Sequence, residues 1–316
     1  MQQTYPQPKP DPRQTITPKK KWSWYRFMQK VGTPWLFIAP IILLHLFVVA
    51  YPAALSVYYS FTEWSGINEP KWVGFENYRK ILFDDPQVWS AFGHNIIWLA
   101  FFLTVPFMIA LFAASLLAQV KRGAMVYRTL LFIPFILPSV VTASIWRNLL
   151  NPRLGVLAQI GEWTGIEAFK IALLGRSSTA LITIAYIDNW HWWGFLMILF
   201  LTAMQAIPKV LYDAAKIDGV NKWQEFWNVT FPGIRPTVLF MFMMSAIWAF
   251  LAFDYIWILT QGGPAGSSDV MATVLYRNAF ARFEAGYAAA QGLTLSFLAG
   301  FIVVIFIILR RRGWEI

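Results

Sequence analysis

Residues 180–219 read ALITIAYIDNWHWWGFLMILFLTAMQAIPKVLYDAAKIDG. Up to Ala206 the only charged residue is Asp188. Then Lys209, Asp213, Lys216 and Asp218 follow in quick succession. An apolar run of this length can cross a hydrocarbon core, which takes about 20 residues. The charged segment behind it cannot stay in that phase. The chain therefore passes from an apolar medium to a polar one near Pro208.

Five other stretches read the same way. They are Pro34 to Phe61, Trp89 to Gln119, Thr129 to Trp146 between Arg128 and Arg147, Thr237 to Thr260, and Gly286 to Leu309. Together with Thr179 to Ile207 they predict an all-α, polytopic membrane protein with six transmembrane helices. Composition agrees: 58% of the 316 residues are hydrophobic and 13% are charged, about half the charge of an ordinary soluble domain. The chain has no cysteine, which excludes disulfides and thiolate metal sites. His45, His94 and His191 are scattered, so no metal site and no catalytic cluster is predicted. His191 beside Asp188 is the one acid–base-like pair, and helix packing accounts for it.

The net charge of +10 follows the placement of cations around the spans. Lys9, Arg13, Lys19, Lys20, Lys21, Arg26 and Lys30 precede the first span. Lys121, Arg122 and Arg128 follow the second, Lys209, Lys216, Lys222 and Arg235 follow the fourth, and Arg310, Arg311 and Arg312 follow the sixth. These make seventeen of the 26 cations. The positive-inside rule then puts both termini and the 208–236 loop in the cytoplasm. Residues 1–32 are Pro-, Gln- and Lys-rich without a signal-peptide pattern, and read as a disordered basic cytoplasmic tail. A nucleic-acid-binding arm is the alternative. Residues 33–312 form the predicted transmembrane domain, with 313–316 as a cytoplasmic end. Pro40, Pro52, Pro106, Pro134 and Pro138 lie inside spans, where proline kinks a helix. They fit either simple packing geometry or a bundle that bends between two states.

The polar island Lys209 to Gly219 is predicted to form a short helix that Gly219 ends. Leu211, Ala214, Ala215 and Asp218 fall on adjoining positions and give a small mixed face. Asn221 and Gln224 form a capping-box pattern that opens a second short helix. That helix carries Trp223, Phe226 and Trp227, and Pro232 and Pro236 are expected to end it. Two readings stand: an amphipathic loop helix lying on the membrane, or a surface where another protein docks and pushes.

At this point the residues resemble the permease subunits of binding-protein-dependent ABC importers, in the carbohydrate, maltose-permease-like branch of type I. Asp213-Ala214-Ala215, then Ile217-Asp218-Gly219, then Phe231-Pro232, is similar to the cytoplasmic Glu-Ala-Ala motif of that family. Asp213 stands for the Glu, Val220 for a second Ala, and Phe231 for the Leu before proline. Val73 to Tyr78, Tyr127 to Pro134, Ile145 to Pro152 with Gly155, Gln205 to Pro208, Thr260 to Pro264 and Gly286 to Ala290 also resemble the family. The likeness runs from about residue 33 to 312.

The resemblance implies a coupling helix in which Leu211, Tyr212, Asp213, Ala214, Ala215, Asp218, Gly219 and Pro232 meet a separate ATPase. The chain has no Gly-x-x-x-x-Gly-Lys-Ser/Thr sequence, so no ATP or other cofactor is expected on it. ATP and Mg would belong to two partner ATPase subunits. A second homologous permease and an external sugar-binding protein complete the implied assembly in a bacterial or archaeal inner membrane. Gln261, Gly262, Gly263 and Pro264, in a glycine-rich turn expected to be adaptable, would lie near the docking surface of the binding protein.

Intramembrane acids are costly and mark candidate functional sites. Asp188, Asn189, Trp192 and Trp193 form one polar–aromatic cluster, and Trp248, Asp254 and Tyr255 a second. Carboxylates and amides bind sugar hydroxyls, and aromatic faces stack on sugar rings. The clusters read as a substrate path or as helix-packing polar groups. No lysine or arginine lies inside a predicted span, which favours a neutral sugar over a phosphorylated one, although a cationic substrate is compatible with the acids. The expected function is ATP-driven import of a di- or oligosaccharide by alternating access. The alternatives are a secondary transporter without an ATPase, and an ABC permease for a non-sugar such as glycerol phosphate. The first would show internal symmetry, and no repeat is visible.

Overall fold

A computed structural model describes residues 28, 32–120 and 122–311. The predicted tail and the 313–316 end lie outside the described residues, apart from Met28 and Gly32. The chain divides into two units, Met1–Leu55 and Ser56–Ile316. The described part of the first unit is the start of α1 (Thr33–Ser60), with Pro40 inside it. Its side chains, Trp35 and Phe37 among them, are exposed, which suits a helix that faces lipid or another subunit.

The second unit holds a two-stranded hairpin of β1 (Thr62–Glu63) and β2 (Lys71–Trp72), paired antiparallel with Thr62 opposite Trp72. A short helix follows, α2 (Glu76–Arg79). Here Asn77 Nδ2 donates to the carbonyls of Ser60 and Thr62, both at 2.9 Å, and Tyr78 Oη to Ser60 Oγ at 2.8 Å. Asn77 thus satisfies two backbone carbonyls at the junction of α1 and β1, as buried backbone groups require, while Tyr78 holds the Ser60 hydroxyl.

The bundle is built on α3 (Pro86–Leu117) and α7 (Ala180–Ala206), packed along each other. Asp85 caps α3 by accepting from the amides of Gln87 and Val88 at 2.9 and 3.3 Å, as an N-cap carboxylate does. Trp98, Phe102, Phe107, Ile184, Leu196, Met197 and Phe200 form the core between the two. Against α7 lies α4 (Ala124–Ile136), followed by α5 (Ser139–Leu149) and α6 (Val156–Thr164). Gly194 permits close approach, since a Cβ there would run into the Leu131 carbonyl. Buried Asn95 donates to the Ala249 carbonyl at 3.0 Å and accepts from the Met271 amide at 2.9 Å, so one side chain ties together three elements.

Four described helices are long and apolar enough to cross a membrane, or six if each of two bent pairs is one span. The predicted third span, Thr129 to Trp146, is not one straight helix. It breaks between α4 and α5 with a 96° bend. Proline forces its predecessor out of helical geometry, and Leu137 before Pro138 is extended at φ −72, ψ 134. The same effect at Ile207 before Pro208 turns α8 (Lys209–Ile217) by 74° from α7.

The expectation that Pro232 and Pro236 end the second loop helix is overturned. Helix α9 (Lys222–Glu225) passes through a wider π turn, Phe226–Thr230, into α10 (Phe231–Leu251) without a stop. Pro232 lies just after the π turn, inside this continuous helical run and not at its start. Pro236 is inside the helix, and the residues around it stay helical. The predicted fifth span instead breaks at Ala252 and Phe253, before α11 (Asp254–Leu259). After α11 come α12 (Met271–Phe280) and α13 (Ala285–Leu309), and α13 packs on α10 and α12.

Candidate functional site

Helix α8 ends as its sequence dictates. Gly219 has φ +70, its amide donates to the Lys216 carbonyl at 3.1 Å, and that of Val220 to Ala215 at 3.2 Å. This is the double closure of a Schellman motif, which favours glycine. Two residues on, the Asn221–Gln224 capping box is formed, with both bonds at 2.9 Å. Tyr212 Oη bonds Thr230 Oγ1 at 3.2 Å, and Ala215 is buried, so one side of α8 is held to the start of the fifth span. The other side is exposed among the described residues. Val210, Leu211, Ala214 and Ile217 are exposed, and Ile217 is 87% exposed. Asp213 is half-exposed and pairs with Lys216 at 3.2 Å. Trp223 and Trp227 are exposed beside it, ring centroids 5.7 Å apart.

The two predicted polar–aromatic clusters meet in part. Asp188, Trp248, Asp254 and Tyr255 line a cavity of about 380 Å³, together with Trp98, Pro138, Ser139, His191 and Phe253. Two helix breaks face it, Leu137–Pro138 from α4–α5 and Ala252–Phe253 from α10–α11. Asp188 is 3% exposed, and its Oδ1 has no hydrogen-bond partner among the described residues. Ser139 Oγ reaches Asp254 Oδ2 at 3.4 Å. Trp192 lies behind the wall. It stacks on Trp248 with centroids 5.4 Å apart and donates to Ser245 Oγ at 3.2 Å. Asn189 is buried and Trp193 packs on the core, and neither lines the cavity. The sequence did not single out Ser139 or Trp98. Ser139 follows the proline that breaks the span, and that was its one visible signal.

The Gln261 to Pro264 turn is not the loose element that its glycines suggest. Gln261, Gly262, Ala265 and Gly266 all have positive φ, and a Cβ on Gly262 would strike Asp269. Arg277 on α12 holds Asp269 through both guanidinium nitrogens at 2.8 and 3.0 Å and donates to the Gln261 carbonyl at 3.0 Å. Thr260 Oγ1 and Ser268 Oγ bond at 2.8 Å, and Ser268 Oγ donates to the Gly263 carbonyl at 2.6 Å. The hydrogen bond to Asp269 raises the Arg277 pKa, against the lowering effect of burial. A cavity of about 630 Å³ opens here, lined by Gln87, Ser90, Gln261, Gly266, Asp269 and Arg277 among others. Asp269 and Arg277 were missed because nothing at an eight-residue spacing marks a clamp.

A bundle of long apolar helices, an exposed charged helix bent off one of them and a cavity lined by a buried acid together fit a multi-pass membrane permease. The chain belongs to the family described as the binding-protein-dependent transport system inner membrane component, whose model matches residues 106–312. It is 32% identical over 260 residues to the probable ABC transporter permease protein YurN of Bacillus subtilis, covering 81% of this chain and 88% of that one. It is 29% identical to the multiple sugar-binding transport system permease protein MsmF of Streptococcus mutans, covering 88% and 94%. Among solved structures, a bacterial ABC transporter involved in the import of the acidic polysaccharide alginate has the same fold. The TM-score is 0.80 at 22% identity, over 92% of this chain and 99% of that one.

Proposed function

We propose that this chain is the permease subunit of an ATP-driven importer for a di- or oligosaccharide, and that α8 is its coupling helix. The observation that carries the second part is the two-sidedness of α8. One side is anchored through Ala215 and the Tyr212–Thr230 bond, and the other leaves Leu211, Ala214 and Ile217 exposed among the described residues. A helix so held and so exposed transmits a push. Asp213, Asp218 and the Gly219 stop would meet a groove on one of the ATPase subunits, and Pro232 would lie where the push enters the fifth span. ATP and Mg would be bound by two partner ATPase subunits, and a homologous second permease would close the bundle. In this reading both termini and α8 face the cytoplasm.

The cavity bounded by Asp188, Trp248, Asp254 and Tyr255 is read as part of the sugar path, with Asn189, Trp192 and Trp193 supporting it from behind. Gln261, Gly262, Gly263 and Pro264 would present a rigid docking surface to the external binding protein. The sugar assignment draws support from MsmF and from the hydroxyl-compatible lining of the cavity. The test is purification of the whole transporter, followed by sugar-stimulated ATP hydrolysis and uptake in liposomes. Deletion of 213–219 should leave the permease inserted and abolish stimulated hydrolysis. Uptake that persists without any ATPase subunit would refute the proposal.

A further inference from the structure

Asp188 and Asp254 are 66 residues apart in sequence and line one cavity. No lysine or arginine lines it among the described residues. Asp188 is almost fully buried, and among the described residues nothing donates to its Oδ1. A buried acceptor without a donor is costly, and a ligand hydroxyl would satisfy it. The walls contributed by Trp98 and Trp248 offer aromatic faces. His191, whose ring lies 5.3 Å from that of Phe135 and 5.9 Å from that of Tyr255, is the one lining side chain able to become cationic. The cavity is therefore supplied with acceptors and short of fixed positive charge. A negative group entering it would meet these two acids and would find no lysine or arginine to pair with among the described lining residues.

We propose that Asp188 and Asp254 make this cavity a site that takes sugars through their hydroxyl or amino donors and rejects sugars bearing a carboxylate or phosphate. The inference rests on reading the cavity as part of the sugar path. It separates this chain from its structural neighbour, whose cargo is an acidic polysaccharide. The two acids act as specificity residues: they touch the substrate and do no covalent chemistry.

The experiment uses the assembled transporter without its binding protein, so that the selectivity measured is that of the membrane part. Saturation-transfer NMR reads binding of maltose, cellobiose and trehalose, of their C6 carboxylates, and of their C2 amines. The expected result is that the carboxylates bind at least about tenfold more weakly than their neutral parents, while the amines bind at least as well. Asp254→Asn, at an exposed position, and Asp188→Asn keep the side-chain size and remove the charge. Each should bring the carboxylates to within about threefold of the parents. Equal binding of parents and carboxylates by the unaltered protein overturns the inference, and so does unchanged discrimination in both variants. Binding of none of the nine sugars fails differently: it refutes the sugar reading on which the inference stands.

Discussion

Gly219 offers the sharpest separation of conformation from contact. Its φ is +70, and a Cβ added there meets nothing within 4 Å. Among the described residues, substitution therefore costs backbone strain and no steric clash. The left-handed region costs an L-residue roughly 1–2 kcal/mol. Alanine should fall near the lower figure, valine at or above the upper one because of its β-branch, and asparagine below both, since it tolerates this geometry. If the strain is relieved by rotating the peptide, the amides of Gly219 and Val220 leave the carbonyls of Lys216 and Ala215, and the last turn of α8 frays. A loss of 1–2 kcal/mol shifts a local equilibrium by roughly 5- to 30-fold, and the shift falls on the segment that carries Ile217 and Asp218. The assay is sugar-stimulated ATP hydrolysis by the whole transporter in liposomes, with the melting temperature of the purified complex as a control. Stimulation should rank wild type, Gly219→Asn, Gly219→Ala, Gly219→Val, with melting nearly constant. Full stimulation in Gly219→Val would refute the reasoning. A loss in Gly219→Asn as deep as in Gly219→Val would show that bulk against a partner, and not φ, governs the position.

Three other substitutions test the packing and the outer loop. Asn95→Leu removes a donor to Ala249 and an acceptor for Met271, leaving two buried backbone groups unpaired at about 1–3 kcal/mol each; the complex should melt several degrees lower, and an unchanged melting temperature would contradict this role. Gly194→Ala places a methyl against the Leu131 carbonyl, so α4 must move off α7; overpacking of this kind costs about 1–3 kcal/mol, and Gly194→Ser should behave no better. Arg277→Ala strips both guanidinium bonds from buried Asp269; the loop should loosen, with a loss of about 2 kcal/mol once the partial exposure of Arg277 is allowed for, and binding-protein affinity should weaken, whereas Arg277→Lys should restore charge without the paired geometry and recover only part of the affinity.

Much of the bundle was legible because lipid imposes a one-dimensional rule: a span is an apolar run of sufficient length, and such runs are visible without neighbours. Helices α3, α7 and α13 begin and end within a few residues of the predicted runs. The capping box at Asn221 and the stop at Gly219 were legible for a related reason, since both are settled by bonds within a few residues. The prolines were legible as perturbations but not in their effect. Pro138 breaks a span by 96° because its predecessor has gone extended, whereas Pro236 sits inside a helix that continues. Which outcome holds depends on whether the residues around the proline keep helical geometry, and that is decided by packing.

The cavity was legible only in pieces, and the reason is geometric. Asp188 and Trp192 are one helical turn apart, which suggested a shared role. Yet neighbouring residues on a helix that is surrounded by protein face different partners. Asp188 lines the cavity, whereas Trp192 does not: it packs on Trp248, Phe135 and Phe195 and donates to Ser245. Besides Trp98, His191 and Trp248, the residues that converge with Asp188 come from two helix breaks far along the chain. Pro138 frees Ser139 to turn inward, and the interruption at Ala252–Phe253 does the same for Asp254 and Tyr255. Helix interruption at membrane depth is tolerated where the freed backbone is covered by protein or lines a cavity. Two such interruptions facing one buried acid are therefore a stronger sign of a ligand site than any of the residues taken singly. If Pro138→Ala straightened α4 into α5, Ser139 would leave Asp254, and the cavity would lose one wall while every charged group stayed in the chain. Discrimination between neutral and acidic sugars should then fall even though both carboxylates remain.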